Sequence, residues 1–329
     1  MNKDAFRRYL EERDLSDEQV VASISIAEQF ETFLQKNGRT ATPEATAAED
    51  VEAFSAWMIH REINSWANYV ALVRYGRFIG SEGLLVGALE LIDGAEALEN
   101  LRAKLGEELG EAVGEAIFEG VNLPPLGTPN LNKPALTKKV IDRLEATADP
   151  ETCVKILGSG LRTLEDDRYL DAKKKYEEAG GIDAYLKRKG DAFLAELKAY
   201  CDEGTLFFTQ PIDDSVIAYV RDHPEVRSGV RRGNLLIEAK IPHQTIKYLA
   251  ATDPREKAYH YCHCPWVKES LKDGDSTISS SFCNCSAAFH RKPYEVIFGQ
   301  KLQAEVLESV LAGDPWCKFA IHLPNEAIN

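Results

Sequence analysis

The run His260-Tyr261-Cys262-His263-Cys264-Pro265-Trp266, followed by Ser281-Phe282-Cys283-Asn284-Cys285-Ser286, gathers four of the chain's seven cysteines and two of its seven histidines. Side chains at i and i+2 share one face of a β-strand. Read as strands, the two Cys-x-Cys pairs place His260, Cys262 and Cys264 on one face, and Cys283 with Cys285 on another. The two pairs could then meet across a sheet or at the mouth of a pocket.

Three chemistries fit that pattern. Cys262, Cys264, Cys283 and Cys285 supply four thiolates, a donor set that suits zinc or an iron-sulfur cluster. Tetrahedral zinc, with Zn–S near 2.3 Å, needs sulfurs within about 4 Å of each other. A regular strand spaces i and i+2 by roughly 6.6 Å, so the backbone must bend for one ion to take both members of a pair. Alternatively one of the four is a nucleophile activated by a histidine. His260, His263 and His290 are the candidate proton carriers, and on a strand His263 faces away from its neighbouring cysteines. The third reading is burial, since free cysteine behaves as a small apolar residue.

The 329 residues exceed one ordinary core, and 44% hydrophobic with 28% charged residues describes a globular chain. No apolar run approaches the length of a membrane span, and the start lacks a signal-peptide core. A cytoplasmic location with reduced thiols is expected. The net charge of −14 opposes polyanions, whose binding depends on Lys and Arg, so nucleic acid is disfavoured as a partner.

Residues 1–82 read as a helical bundle. Ser16 with Glu18 and Gln19 opens a segment with Val20, Ile24, Ala27, Phe30 and Leu34 at helical spacing, Gly38 ends it, Thr46–Trp57 starts another, and Trp66–Ile79 precedes Gly80. This order resembles the SAM-like core-binding domain of phage integrases and tyrosine recombinases, although acidic residues outnumber basic ones and no recombinase catalytic residues follow. Residues 83–149 read as a helical connector with a Pro-rich crossing at 123–129 and a helix from about Thr137 to Thr147. Asp149-Pro150-Glu151 caps the next helix, and Gly158-Ser159-Gly160 reads as a turn. The charged segment 164–201 is expected to be helical with breaks at Gly180-Gly181 and Gly190. Phe207-Phe208, Val216–Val220, Leu235–Ile237 and Ile241 read as strand-like stretches. Arg227 to Leu235 is read as a basic turn that could cradle an anion, and His243 follows a strand end where pockets often lie.

At the C-terminal end, Cys283-Asn284-Cys285-Ser286-Ala287-Ala288-Phe289, then Tyr294 to Gly299, then Gly313-Asp314-Pro315-Trp316-Cys317-Lys318-Phe319-Ala320-Ile321 are similar to the L-2-amino-thiazoline-4-carboxylic acid hydrolase-like proteins, and remotely to the vinyl-reductase domain of small-molecule sensors. The resemblance covers residues 150–329. It implies an α+β domain enclosing a small-molecule pocket, and either hydrolysis of a cyclic C–N or C–S linkage or ligand sensing. In the sensors the last cysteine helps to hold zinc. Cys317 matches it, but Ser309 stands where an earlier cysteine is expected. The combined expectation is a hydrolase-like protein acting on a cyclic amide or thiazoline-type molecule at the cysteine-rich site. Its alternative is a non-catalytic small-molecule or metal sensor signalling through residues 1–82, and a homo-oligomer is compatible with both.

Overall fold

In a computed structural model, which describes residues 1–39, 42–272 and 278–325, the chain is α+β. It separates into two compact units, Met1–Ala95 with Pro124–Asn132, and Glu96–Leu123 with Lys133–Asn329. These differ from the expected segments 1–82, 83–149 and 150–329, because the helix after Gly80 packs with the first unit and the Pro-rich crossing returns to it.

The first unit contains α1 (Lys3–Glu11), α2 (Asp17–Lys36), α3 (Ala48–His60), α4 (Trp66–Ile79) and α5 (Glu82–Ile92). Ser16 forms a reciprocal capping box with Gln19, and Gly80 ends α4 in the left-handed region. The apolar faces close on Phe6, Phe30, Phe54, Met58, Tyr69 and Leu84. Residues 124–132 join this core through polar bonds. Ser55 Oγ lies 2.5 Å from Tyr69 Oη and donates to the Gly127 carbonyl at 2.7 Å, while Asn64 donates to the Leu126 carbonyl at 2.9 Å.

The second unit begins with α6 (Ala97–Leu109), α7 (Glu111–Phe118), α8 (Lys133–Thr147) and α9 (Pro150–Leu157), capped by Asp149 as its Asp-Pro start predicts. After α10 (Leu170–Ala179) and α11 (Ile182–Glu203) come a short hairpin of β1 (Leu206–Phe207) and β2 (Gln210–Pro211), then α12 (Asp214–Asp222) and α13 (Pro224–Arg227). Strands β3 (Val230–Arg232) and β4 (Leu235–Ala239), helices α14 (Thr245–Ala250), α15 (Pro254–Tyr261) and α16 (Asn284–Phe298), and strands β5 (Ala304–Glu308) and β6 (Lys318–His322) complete it. The four-stranded antiparallel sheet runs β3-β4-β6-β5, and α16 packs on β5 and β6.

Three local expectations change. Val216–Val220 is helical, not a strand, because Asp213 caps the segment and Val216, Tyr219 and Val220 bury one helical face. Gly190 lies within α11 rather than breaking it, and a Cβ there would come within 3.1 Å of Ser228 Oγ, so close approach explains the glycine. Arg231 does not await an anion, since Asp183 takes its guanidinium in two bonds of 2.7 and 2.5 Å. Among the described residues, no helix is long and apolar enough to cross a membrane.

Gly127 combines φ +89° with a Cβ direction that runs 1.7 Å from Tyr69 Oη and 2.5 Å from Ser55 Oγ. Gly127→Ala is expected to lower the unfolding free energy by roughly 2–3 kcal/mol, through backbone strain and disruption of these buried bonds. Urea unfolding checks this, and a loss under about 0.5 kcal/mol would show that the crossing does not stabilise the first unit.

Candidate functional site

The site is built on β4. The alternation of strand side chains puts Leu236, Glu238 and the following Lys240 on one face. Lys240 extends the ladder by donating its N–H to the Cys317 carbonyl at 3.1 Å, and Glu238 lies opposite Phe319 on β6. This face meets α16, where Leu236 and Ile321 pack with Tyr294 and Ile297.

Glu238 is buried, and its carboxylate accepts three side-chain bonds: Lys189 Nζ at 2.7 Å, Tyr294 Oη at 2.7 Å and His290 Nδ1 at 2.9 Å. Burial alone would raise its pKa. The Lys189 and His290 charges and hydrogen bonds outweigh that and hold it at about 2, so Glu238 is an anion near neutrality. For His290, burial opposes charging more strongly than Glu238 favours it, and its pKa falls below the usual value. The ring is therefore neutral near pH 7. A carboxylate can only accept, so the single imidazole proton sits on Nδ1 and the Nε2 lone pair is open. The ring face rests on Phe319, 4.7 Å between centroids.

Two residues on, Lys240 Nζ donates to Ser286 Oγ at 3.0 Å. Lys240, His263, Cys264, Cys283, Cys285, Ser286 and His290 all keep partial exposure.

The cysteines reach the centre by another route than the one expected. Asp253 and Pro254 begin a helix that includes His260 and ends at Tyr261, leaving Cys262 as its C-terminal cap, and Cys264 opens the turn to Lys268. Ser279 caps a short 3₁₀ turn at Ser280–Cys283 that leads into α16, which carries Cys285. Neither pair lies on a strand, and the shared-face argument for them fails. They nevertheless come together. Cys262 and Cys317 pack in one apolar cluster with Cys264 and Cys285, and Cys262 is near enough to Cys283 for the ionisation of one to oppose that of the other. Cys317, which β6 brings in opposite Lys240, makes a fifth thiol in the cluster.

Burial pushes the Cys283 and Cys285 thiols up to about 12, and those of Cys262 and Cys317 also rise. These four sulfurs are thiols rather than thiolates near neutrality, and Cys283 Sγ is 3.1 Å from Ser309 Oγ. Among the described residues, no group of three His, Cys, Asp or Glu side chains is disposed to hold a metal ion.

The other histidines are tied into the scaffold. His260 lies 3.7 Å from Glu256, and its Nδ1 is buried without a hydrogen-bond partner. His263 Nε2 donates to the Ile241 carbonyl at 2.7 Å. His243, buried, accepts from Lys268 Nζ at Nδ1 (2.9 Å) and lies 3.3 Å from Thr209 Oγ1. A polar groove of about 460 Å³ beside β5, lined by residues including Ser281, Asn284, Glu308 and Asp314, borders the cluster at Ser309 but includes neither His290 nor Ser286.

The structure thus brings His290 and the four cysteines to one region, together with Glu238, Lys189, Tyr294, Lys240 and Ser286, which the sequence reading did not single out as site residues. One signal was available: Glu238 and Lys240 alternate with apolar residues at the end of an otherwise apolar strand. No family model matches the chain, nor does any curated protein or solved structure.

Burial, with Lys240 as the next cause, lowers the His263 pKa from 6.5 to about 3. Below pH 6.5 the unfolded chain takes up a proton that the folded ring refuses, so folding stability is lost as the pH falls toward about 3. His263→Gln keeps a donor for the Ile241 carbonyl. It is expected to flatten this loss in urea titrations between those pH values, with the remaining slope coming from His243, His260 and His290 and from carboxylates held low in the fold, such as Glu238 and Asp183. Equal slopes in wild type and variant would contradict the buried neutral ring.

Proposed function

We propose that the larger unit is hydrolase-like and opens a small cyclic amide or thiazoline-type molecule, with His290 as the proton carrier. The observation that supports this best is the 2.9 Å bond from His290 Nδ1 to the buried Glu238 carboxylate. It fixes the tautomer, leaves Nε2 to take a proton from the attacking group, and stabilises the imidazolium that forms. The same proton can then pass to the departing ring nitrogen or sulfur. Lys240 supplies a positive charge for the negative charge that develops on the oxygen or nitrogen doubly bonded to the attacked carbon.

The test is turnover of a panel of cyclic amides and thiazoline carboxylates. His290→Ala is expected to lower kcat/KM by about 10²- to 10⁴-fold, the usual contribution of a positioned acid-base group. Glu238→Gln is expected to act mainly on kcat. Because burial depresses the His290 pKa, the acid limb of the wild-type rate profile should fall below pH 6.5. Turnover unchanged by His290→Ala would remove this role.

A second reading is favoured by the convergence of five cysteines. In it the unit is a non-catalytic small-molecule or metal sensor, the thiols losing their protons on taking up zinc or a cluster. Elemental analysis of protein purified without oxygen addresses it. A content near one equivalent of zinc per chain, or the iron of one cluster, is expected; metal below about a tenth of an equivalent would remove the metal-sensing form.

A further inference from the structure

The cysteines draw attention away from a hydroxyl set one helical turn before His290. Of the three side-chain bonds that join β4 and its extension to α16, Tyr294 to Glu238 is one, and the other two are Glu238 to His290 and Lys240 to Ser286. Along the strand, two residues advance about 6.6 Å. Along the helix, four residues advance about 6 Å. The two contacts are thus neighbouring rungs of one ladder, and residues four apart on a helix lie on the same face. Ser286 and His290 are one turn apart on the face of α16 that meets Lys240 and Glu238.

We propose that Ser286 is the nucleophile of this centre, with His290 as its base, Glu238 orienting the base, and Lys240 stabilising the developing alkoxide. The hydrogen bonding has the required polarity. Lys240 can only donate, so Ser286 Oγ accepts from it and the hydroxyl proton is free to turn toward His290 Nε2. Lys240 has no carboxylate partner among the described residues, so its charge acts on the oxygen without a competing anion. Burial raises the neighbouring Cys283 and Cys285 thiols, so neither is a thiolate near neutrality.

For a cyclic amide the steps balance as follows. Ser286 Oγ adds to the carbonyl carbon, and its proton passes to His290 Nε2. The carbon–nitrogen bond breaks, and the ring nitrogen takes the proton from His290, leaving the opened chain as an ester on Ser286. Water then adds to the ester carbon while His290 accepts its proton. The carbon–Oγ bond breaks, and the proton returns to Ser286.

The substrate class rests on the hydrolase reading, whereas the identity of the nucleophile does not, so the test uses a probe that needs no substrate. The folded full chain is treated with a fluorophosphonate, and the modified residue is located by peptide mass spectrometry. A single phosphonyl group on Ser286 is expected. Ser286→Ala should lose it, His290→Ala should slow labelling at least 100-fold, and Cys201→Ala, remote from the centre, should label at the wild-type rate. Thermal melts confirm that each variant is folded. No label on Ser286 in the wild type, or an undiminished rate in His290→Ala, overturns the proposal. Cyclic-amide turnover that survives Ser286→Ala overturns the nucleophile while leaving the hydrolase reading in place. Ser286 labelling without turnover of any cyclic amide removes that reading and keeps the nucleophile.

Discussion

The second unit depends on one buried carboxylate. An ionised group at the Glu238 position is costly unless fully partnered. The chain meets that demand from two helices, with Lys189 from α11 and both Tyr294 and His290 from α16 converging on two oxygens. Each donor holds its element at a fixed distance from the central strand. The apolar contacts of Leu236, Ile297 and Ile321 then have a single register in which to close, since any slip would leave the carboxylate short of a partner.

The same demand shapes the chemistry. A histidine pressed against a buried anion would normally be charged. Here the surrounding protein excludes enough water that neutrality wins, even though the paired carboxylate stays ionised. The result is a base with one defined tautomer, held by a helix and a sheet rather than by loops. The neighbouring thiols experience the same exclusion of water with the opposite consequence: a thiol deprived of solvent keeps its proton, and so loses the reactivity that its sequence pattern suggests.

What could be read from the sequence follows from the range of each interaction. Helix starts at Ser16 and Asp149, the stop at Gly80 and the α+β division depend on neighbours a few residues apart, and they are legible in the chain. The gathering of Cys262, Cys264, Cys283 and Cys285 was legible from density alone. Their backbone was not, because a Cys-x-Cys pattern fits a helix end and a turn as well as a strand, and the deciding caps at Asp253 and Ser279 lie outside it. The Glu238 network was out of reach for a different reason. Its partners come from 49 and 56 residues away, and nothing local to Lys189 or Tyr294 marks either as a partner of a strand glutamate.

The return of residues 124–132 to the first unit bears on how this protein can be divided. The helical bundle is not a bead at the end of a string. Its hydrogen-bonding complement is completed by a segment encoded after α6 and α7, elements that belong to the other unit. A fragment ending at residue 95 would leave the Ser55 and Tyr69 hydroxyls without the Gly127 and Leu126 carbonyls they bond, in a core otherwise lined with rings. On the ribosome, too, this bundle reaches its finished state only after the first helices of its neighbour have emerged, so the order of synthesis and the order of completion are interleaved.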